Sequence, residues 1–309
     1  MQHVANVMKL NPWYLRANPD VAEFLDQHLS TSPEVFAHEY LNENWQPMSF
    51  HEVASSMENI GLSFATQSSF NEYQASIHLD ERQCEFIDKI KDIKLRETSA
   101  DFMRMRSNRC DYWIKEPQYL SQQQRRRQIK EILLSTTKPI ADFKSVIDGD
   151  IGEFSVDPQS FHSLLSTIAS SNYTSIGALL AIEPEFEKLM GKLAVLIFQD
   201  LVTPVREDKP PNTSGEAHHQ AFNSTVLGNA KFHDINHLAS NSHGGIKLSQ
   251  VRKYFLKQWN EGARNPATLA ENAKKFDPQF KDTSQGKLIT EANTFLEFYP
   301  DFISRHDLI

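Results

Sequence analysis

Apolar residues at helical spacing constrain this chain more than any other feature. Phe161, Leu164, Leu165 and Ile168 fall at i, i+3, i+4 and i+7, directly after Asp157-Pro158, a strong helix start. Phe186, Leu189, Met190, Leu193, Leu196 and Ile197 form a longer stripe of the same period after Pro184. Between them, Thr174 opens a short helix carrying Ile176, Leu179 and Leu180. Three helices on short links, then a strand-like Leu201-Val202-Thr203 stopped by Pro204, suggest a winged-helix-like module over residues 121–206.

A chain of 309 residues exceeds the usual size of one hydrophobic core, so two or three modules are expected. Residues 1–118 read as helices interrupted by short strands. Asn18-Pro19 starts a helix with Val21, Phe24 and Leu25 at helical spacing, and Ser32-Pro33 starts another. Trp45-Gln46-Pro47 breaks that helix, Met48, Ser49 and Phe50 read as a brief strand, and His51 to Ile60 resumes helix until Gly61. Leu62 to Thr66 is a short strand; Asp80 caps a helix holding Phe86, Ile90 and Ile93; the next helix sets Leu95 and Phe102 on one face; Cys110 to Ile114 is a closing strand. REDKPPNTSGEA, at Arg206 to Ala217, has the composition of a linker and is the best domain boundary. Residues 207–309 are then a linker and a helical C-terminal segment, with helices around Phe222, Leu248 to Trp259 and Leu288 to Phe298. The fold class expected is α+β, mainly helical.

Composition narrows the function classes. Hydrophobic residues at 39% suffice for packed cores, and 23% charged residues of both signs make an ordinary surface. The formal charge of −8 disfavours phosphate backbones, so nucleic acid is an unlikely partner, and Arg125-Arg126-Arg127 with Lys130 reads as a solvated helix face. Cys84 and Cys110 form no disulfide framework. The opening MQHVANVMKLNPW has no secretory pattern and no stretch is long enough to span a bilayer, so a reducing cytoplasm is the expected location and no membrane partner is expected.

Few motifs carry chemistry. The chain has 11 glycines, and its two richest clusters, Asp148-Gly149-Asp150-Ile151-Gly152 and His243-Gly244-Gly245, read as turns rather than as cofactor loops. His218, His219, His233, His237 and His243 cluster in the C-terminal third, and a helix would set His233 and His237 on one face, but the Glu of an HExxH motif is absent, so polar structural or surface roles are expected and no metal site. No GxSxG elbow occurs, and neither cysteine has neighbours that would activate it. Tyr112, Trp113 and Tyr119 lack interleaved basic residues for base stacking.

The segments NPWYLRANPDVAEFL, FAHEYLNENWQPMSFHEVASSMENIGLSFATQSSF and LRETSADFMRMRSNRCDYWIK cover most of residues 11–118 and resemble the methyltransferase regulatory domain. LASNSHGGIKLSQVRKYFLKQW matches more loosely, and the region from 121 onward is similar to the winged-helix C-terminal part of the same proteins. The resemblance implies a regulatory, substrate-presenting region of an S-adenosylmethionine-dependent methyltransferase, a group that includes bacterial protein lysine methyltransferases. It implies that S-adenosylmethionine binds a Rossmann-like catalytic domain expected to lie outside these residues, with no cofactor, catalytic or metal residue in this chain. The implied partners are that catalytic domain, in cis or in trans, and a protein substrate. His38, Glu39, Tyr40, Trp45, Pro47, Phe50 and His51 are the candidate interaction face, with an exposed aromatic surface expected near Trp45 and Phe50. Their plainer reading is a polar-capped helix packed on a strand. A winged-helix module for protein or nucleic-acid recognition is the alternative, and a metalloenzyme using the C-terminal histidines the third.

Overall fold

The computed structural model describes residues 6, 9, 10, 12–19, 21, 23, 25, 37, 38, 43, 44, 46–68, 75–106, 108–149, 152–205, 216–229, 235–240, 243–305, 308 and 309. It is a mainly helical α+β structure with small antiparallel sheets, and divides into two compact units, residues 1–56 and 57–309. No helix among the described residues is long and apolar enough to cross a membrane.

In the first unit, helix α1 (Trp13–Ala17) buries Leu15, and Pro19, Val21 and Leu25 are again helical, as the Asn18-Pro19 start requires. The helix expected from Ser32-Pro33 starts outside the described residues. Met48, Ser49 and Phe50 do not form the expected strand. Instead Ser49 donates its backbone N–H and its hydroxyl to Glu52 Oε2, at 2.7 and 2.8 Å, and accepts the Glu52 N–H at 3.3 Å. This capping box starts helix α2 (Phe50–Asn59) one residue after Ser49. The two hydrogen bonds from Ser49 hold the Glu52 carboxyl below its ordinary pKa. Gly61 follows at φ +80°, the left-handed conformation that ends a helix without a Cβ penalty.

The second unit takes in the last turn of α2 and then β1 (Leu62–Gln67), which pairs antiparallel to β2 (Asp111–Lys115), bulged between Phe64 and Thr66, with the Phe64 and Trp113 rings edge-to-face at 5.6 Å. Between these strands lie α3 (Ala75–His78), α4 (Glu81–Asp88) and α5 (Ile93–Met103). Asp80 and Gln83 form a second capping box at the start of α4, and Asp92 caps α5 by accepting the Leu95 N–H at 2.8 Å. The buried face of α4 is shifted by one residue from the expected one: Ile87 is inside and Phe86 is exposed. Leu95 and Phe102 share a face of α5 as expected, but that face meets solvent.

From 121 onward, Ser121 caps α6 (Gln122–Glu131), followed by β3 (Leu133–Thr136), a short 3-10 turn (Ile140–Asp142) and the hairpin β4 (Val146–Gly149) and β5 (Gly152–Ser155). Asp157 then caps α7 (Pro158–Ala169), whose Phe161, Leu164, Leu165 and Ile168 are all buried as their spacing requires. Thr174-Ser175 is a strand, β6, rather than the first turn of a helix; Ser175 caps α8 (Ile176–Leu179), and α9 (Phe186–Phe198) follows. Strand β7 (Val202–Val205) runs through Pro204 instead of stopping there. The strand order β6-β3-β7 makes it an edge strand, where a proline is tolerated. Leu134, Ile168, Leu179, Leu189 and Leu196 form the centre of this core.

The C-terminal part contains α10 (Glu216–Gly228), the hairpin β8 (His237–Ser240) and β9 (Gly244–Lys247), α11 (Gln250–Asn260), α12 (Pro266–Phe276) and α13 (Gln285–Arg305). Phe255, Phe295, Tyr299 and Phe302 pack at its centre, with Phe295 and Tyr299 stacked at 5.3 Å. Buried Asn223 ties three segments together. Its amide donates to the Ala239 and Leu308 carbonyls at 2.9 and 2.7 Å, and its oxygen accepts the Ala239 N–H at 2.7 Å.

Candidate functional site

A cavity of about 800 Å3 lies within the second unit, between the turn after β3 and the start of α11. Its floor is the side chain of Arg252, on the first turn of α11 and only 7% exposed. The guanidinium makes a two-pronged contact with Asp142, Nη1 to Oδ2 and Nη2 to Oδ1, the latter at 2.7 Å. Its Nε donates to Glu291 Oε1, and Nη1 also reaches the Tyr299 hydroxyl at 3.3 Å, while the guanidinium carbon lies 5.5 Å from the Tyr299 ring centre. Burial works against the charge of Arg252, but the hydrogen bonds and charge of Asp142, with Tyr299 and Glu291, more than offset it and raise the guanidinium pKa. Burial also pushes the Tyr299 hydroxyl up, so it stays a neutral donor or acceptor.

The cavity rim is held by Gln199, at the end of α9. It accepts the Lys144 N–H at 2.8 Å and donates to the Lys144 carbonyl at 3.1 Å, which fixes the segment between β3 and β4. Lys138 donates to the Gln199 carbonyl at 3.0 Å and lies 3.4 Å from Asp200. Lys144 and Lys247 are exposed at the mouth. Phe143, Ile147, Phe198 and Leu248 supply apolar wall. Asn236 also lines the cavity, and its buried Oδ1 accepts no hydrogen bond among the described residues.

A second charged centre lies in the segment between β1 and β2. Arg109 bonds both Asp101 oxygens at 2.9 Å, Asp111 at 2.9 and 3.1 Å and Glu97 at 3.1 Å, and Arg106 adds a contact to Asp101 at 3.2 Å. Burial is the largest influence on Asp101 and raises its carboxyl pKa, although Arg109 acts in the opposite sense. This network fastens α5 to β2, and its carboxylates are fully engaged by arginine.

The residues of the candidate interaction face divide. His38, Pro47 and His51 are exposed, and Glu39, Tyr40 and Trp45 lie outside the described residues. Phe50 is 3% exposed, so it packs inward with Ala54 and is not part of an exposed aromatic surface. The reason is its place at the first turn of a helix whose apolar side is buried. Among the C-terminal histidines, His237 sits in strand β8 rather than on a helix, His218 and His219 lie on α10, His243 precedes β9, and His233 is outside the described residues. Among the described residues no three His, Cys, Asp or Glu side chains converge as metal ligands would. The Arg252 cluster had no signature in sequence, because its members are scattered over three separate segments.

Residues 32–115 match the family model described as a predicted methyltransferase regulatory domain. The chain is 23% identical over 302 residues to an uncharacterized protein of Synechocystis sp., covering 92% of this chain and 55% of that protein. Its fold resembles the solved structure of PKMT2 from Rickettsia typhi, at a TM-score of 0.52 and 16% identity, covering 96% of this chain and 64% of that one. A structure of PKMT2 in complex with AdoHcy superposes at a TM-score of 0.48, with 16% identity, 96% of this chain and 62% of that one covered. The chain thus spans little more than half of the Synechocystis relative and under two thirds of PKMT2.

Proposed function

We propose that these residues form the regulatory and substrate-presenting region of an S-adenosylmethionine-dependent methyltransferase and act by contact on its catalytic domain, in cis or in trans. The match of residues 32–115 to the regulatory-domain model carries this reading. The methyl donor is assigned to the catalytic domain, the protein substrate to a surface shared with it, and the setting to the cytoplasm. Residues 1–118 serve as the regulatory module, 121–206 as a winged-helix-like module and 207–309 as the linker and helical C-terminal segment.

A regulatory module changes catalysis only through contacts that differ between states of the catalytic domain. Two surfaces support such contacts. One is the exposed part of the expected face, His38, Pro47 and His51, without the buried side chain of Phe50. The other is the exposed apolar set Phe86, Leu95, Phe102, Met105 and Tyr112 in the family-matched segment, where large apolar side chains in water mark an interaction surface. Adding the chain to a matching catalytic domain should alter turnover or substrate affinity. Unchanged steady-state kinetics at a saturating amount of the chain would remove the regulatory reading.

A winged-helix recognition module is the second reading. Support for it comes from the order of α7, α8 and α9 beside the three-stranded sheet β6-β3-β7. Arg126 is engaged by Glu187 at 2.7 Å, which together with the acidic chain favours a protein over a nucleic acid as its target.

A further inference from the structure

We infer that the cavity floored by Arg252 binds an organic anion, a carboxylate carried on an apolar body. This goes beyond the regulatory reading and does not depend on it. The volume of about 800 Å3 lies in the range of small-molecule sites, and the walls combine the apolar surface of Phe143, Ile147, Phe198 and Leu248 with a few polar groups.

Charge selects the sign of the ligand. Four cations line the cavity, Lys138, Lys144, Lys247 and Arg252, against two carboxylates, Asp142 and Glu291. Arg252 is committed to both carboxylates, and Lys138 to Asp200 and the Gln199 carbonyl. Lys144 and Lys247 remain at the mouth with no ion pair among the described residues. Two uncompensated lysines at one concave site focus a positive potential there, on a chain whose formal charge is −8. The backbone beside Lys144 is pinned on both sides by Gln199, so this lysine is presented from a fixed position.

The Asn236 amide adds a second requirement. Its buried Oδ1 has no donor among the described residues, and a buried acceptor without a partner is uncommon in a folded protein. A ligand N–H, or a water held by the ligand, satisfies it. The carboxylate comes either from a free acid or from an acidic side chain of a peptide, and the chemistry at the cavity is the same for both.

Isothermal titration calorimetry on the full chain with 3-phenylpropionate, its neutral amide 3-phenylpropionamide, and the blocked dipeptide N-acetyl-Phe-Asp-amide tests the assignment. The expected result is saturable one-to-one binding of at least one of the two anions and none of the neutral amide. Tighter binding of the dipeptide assigns the site to a peptide; tighter binding of the free acid assigns it to a small molecule. The double variant K144E/K247E should weaken the bound anion about tenfold or more. K144Q and K247Q should each weaken it less, and K89E, on an exposed site at the end of α4, which contributes nothing to the cavity lining, should leave it unchanged. Circular dichroism establishes that each variant is folded. Absence of binding by both anions at millimolar concentration overturns the assignment, as does equal binding of the neutral amide or an affinity indifferent to K144E/K247E.

Discussion

Asp142 and Arg252 meet in a bidentate ion pair although 110 positions separate them in the chain. One sits on the short turn that follows β3, beside the core around Ile168, and the other on the first turn of α11, beside the core around Phe295. The pair therefore links two hydrophobic cores and at the same time forms the floor of the cavity.

Replacing Arg252 by alanine should destabilise the second unit by about 2–3 kcal/mol, somewhat below the 3–5 kcal/mol typical of a fully buried broken pair. The lower figure follows because Asp142 and Glu291 retain partial access to water once the guanidinium is gone. Urea denaturation followed by tryptophan fluorescence measures it. A loss within error of zero would show that the two cores are held together by apolar packing alone.

Ile168→Ala and Phe295→Ala probe the two cores separately. Both residues have no solvent exposure, so the truncations should cost about 2–5 kcal/mol and about 3–5 kcal/mol respectively. Hydrogen exchange should show faster exchange first in α7 for the former and in α13 for the latter. Equal acceleration throughout the second unit for both variants would mean that the cores unfold as one.

Glu183 supplies a pH dependence with a definite sign. Lys192 donates to its carboxylate at 2.8 Å and Lys188 lies at 3.6 Å, and these hold its pKa below the ordinary carboxylate value. The folded chain keeps this carboxylate ionised where the unfolded chain has already taken up a proton. Its contribution is therefore complete above the unfolded pKa and is lost as pH falls through the lowered folded value. Melting temperatures of Glu183→Gln should fall below wild type at neutral pH and converge with it in acid. A constant difference across the whole pH series would refute this.

The exposed pair on α5 separates contact from stability. Leu95→Asp and Phe102→Asp alter side chains that already face water, so stability should change by no more than about 0.5 kcal/mol each. Under the proposed function, the double variant should lose most of the effect of the chain on its catalytic domain. A folded double variant that regulates like wild type would move the contact surface elsewhere, with His38, Pro47 and His51 the next to replace.

Local order was largely legible from residue types. Asp157-Pro158, Asp80 and Gly61 mark helix ends because capping and left-handed turns are chemistry of a few adjacent residues. The stripe through Phe161, Leu164, Leu165 and Ile168 is buried as written, since period and burial agree when one core covers one face. Misreadings arose where a neighbour outside the window decides. Ser49 reads as strand until Glu52 closes the capping box, and Pro204 reads as a stop until β7 proves to be an edge. Phe86 and Ile87 differ by one position, and only the packing of α4 tells which points inward.

By itself the sequence determined the mainly helical α+β class, most helix starts and the regulatory-domain resemblance, because these rest on periodicity, caps and motifs a few residues long. Tertiary structure alone decided that Asp142, Arg252 and Glu291 converge, that Lys144 and Lys247 flank one cavity, and that Arg109 gathers three carboxylates. Electrostatic and hydrogen-bonding contacts act over a few ångströms in space whatever the separation along the chain, so no spacing rule can announce them.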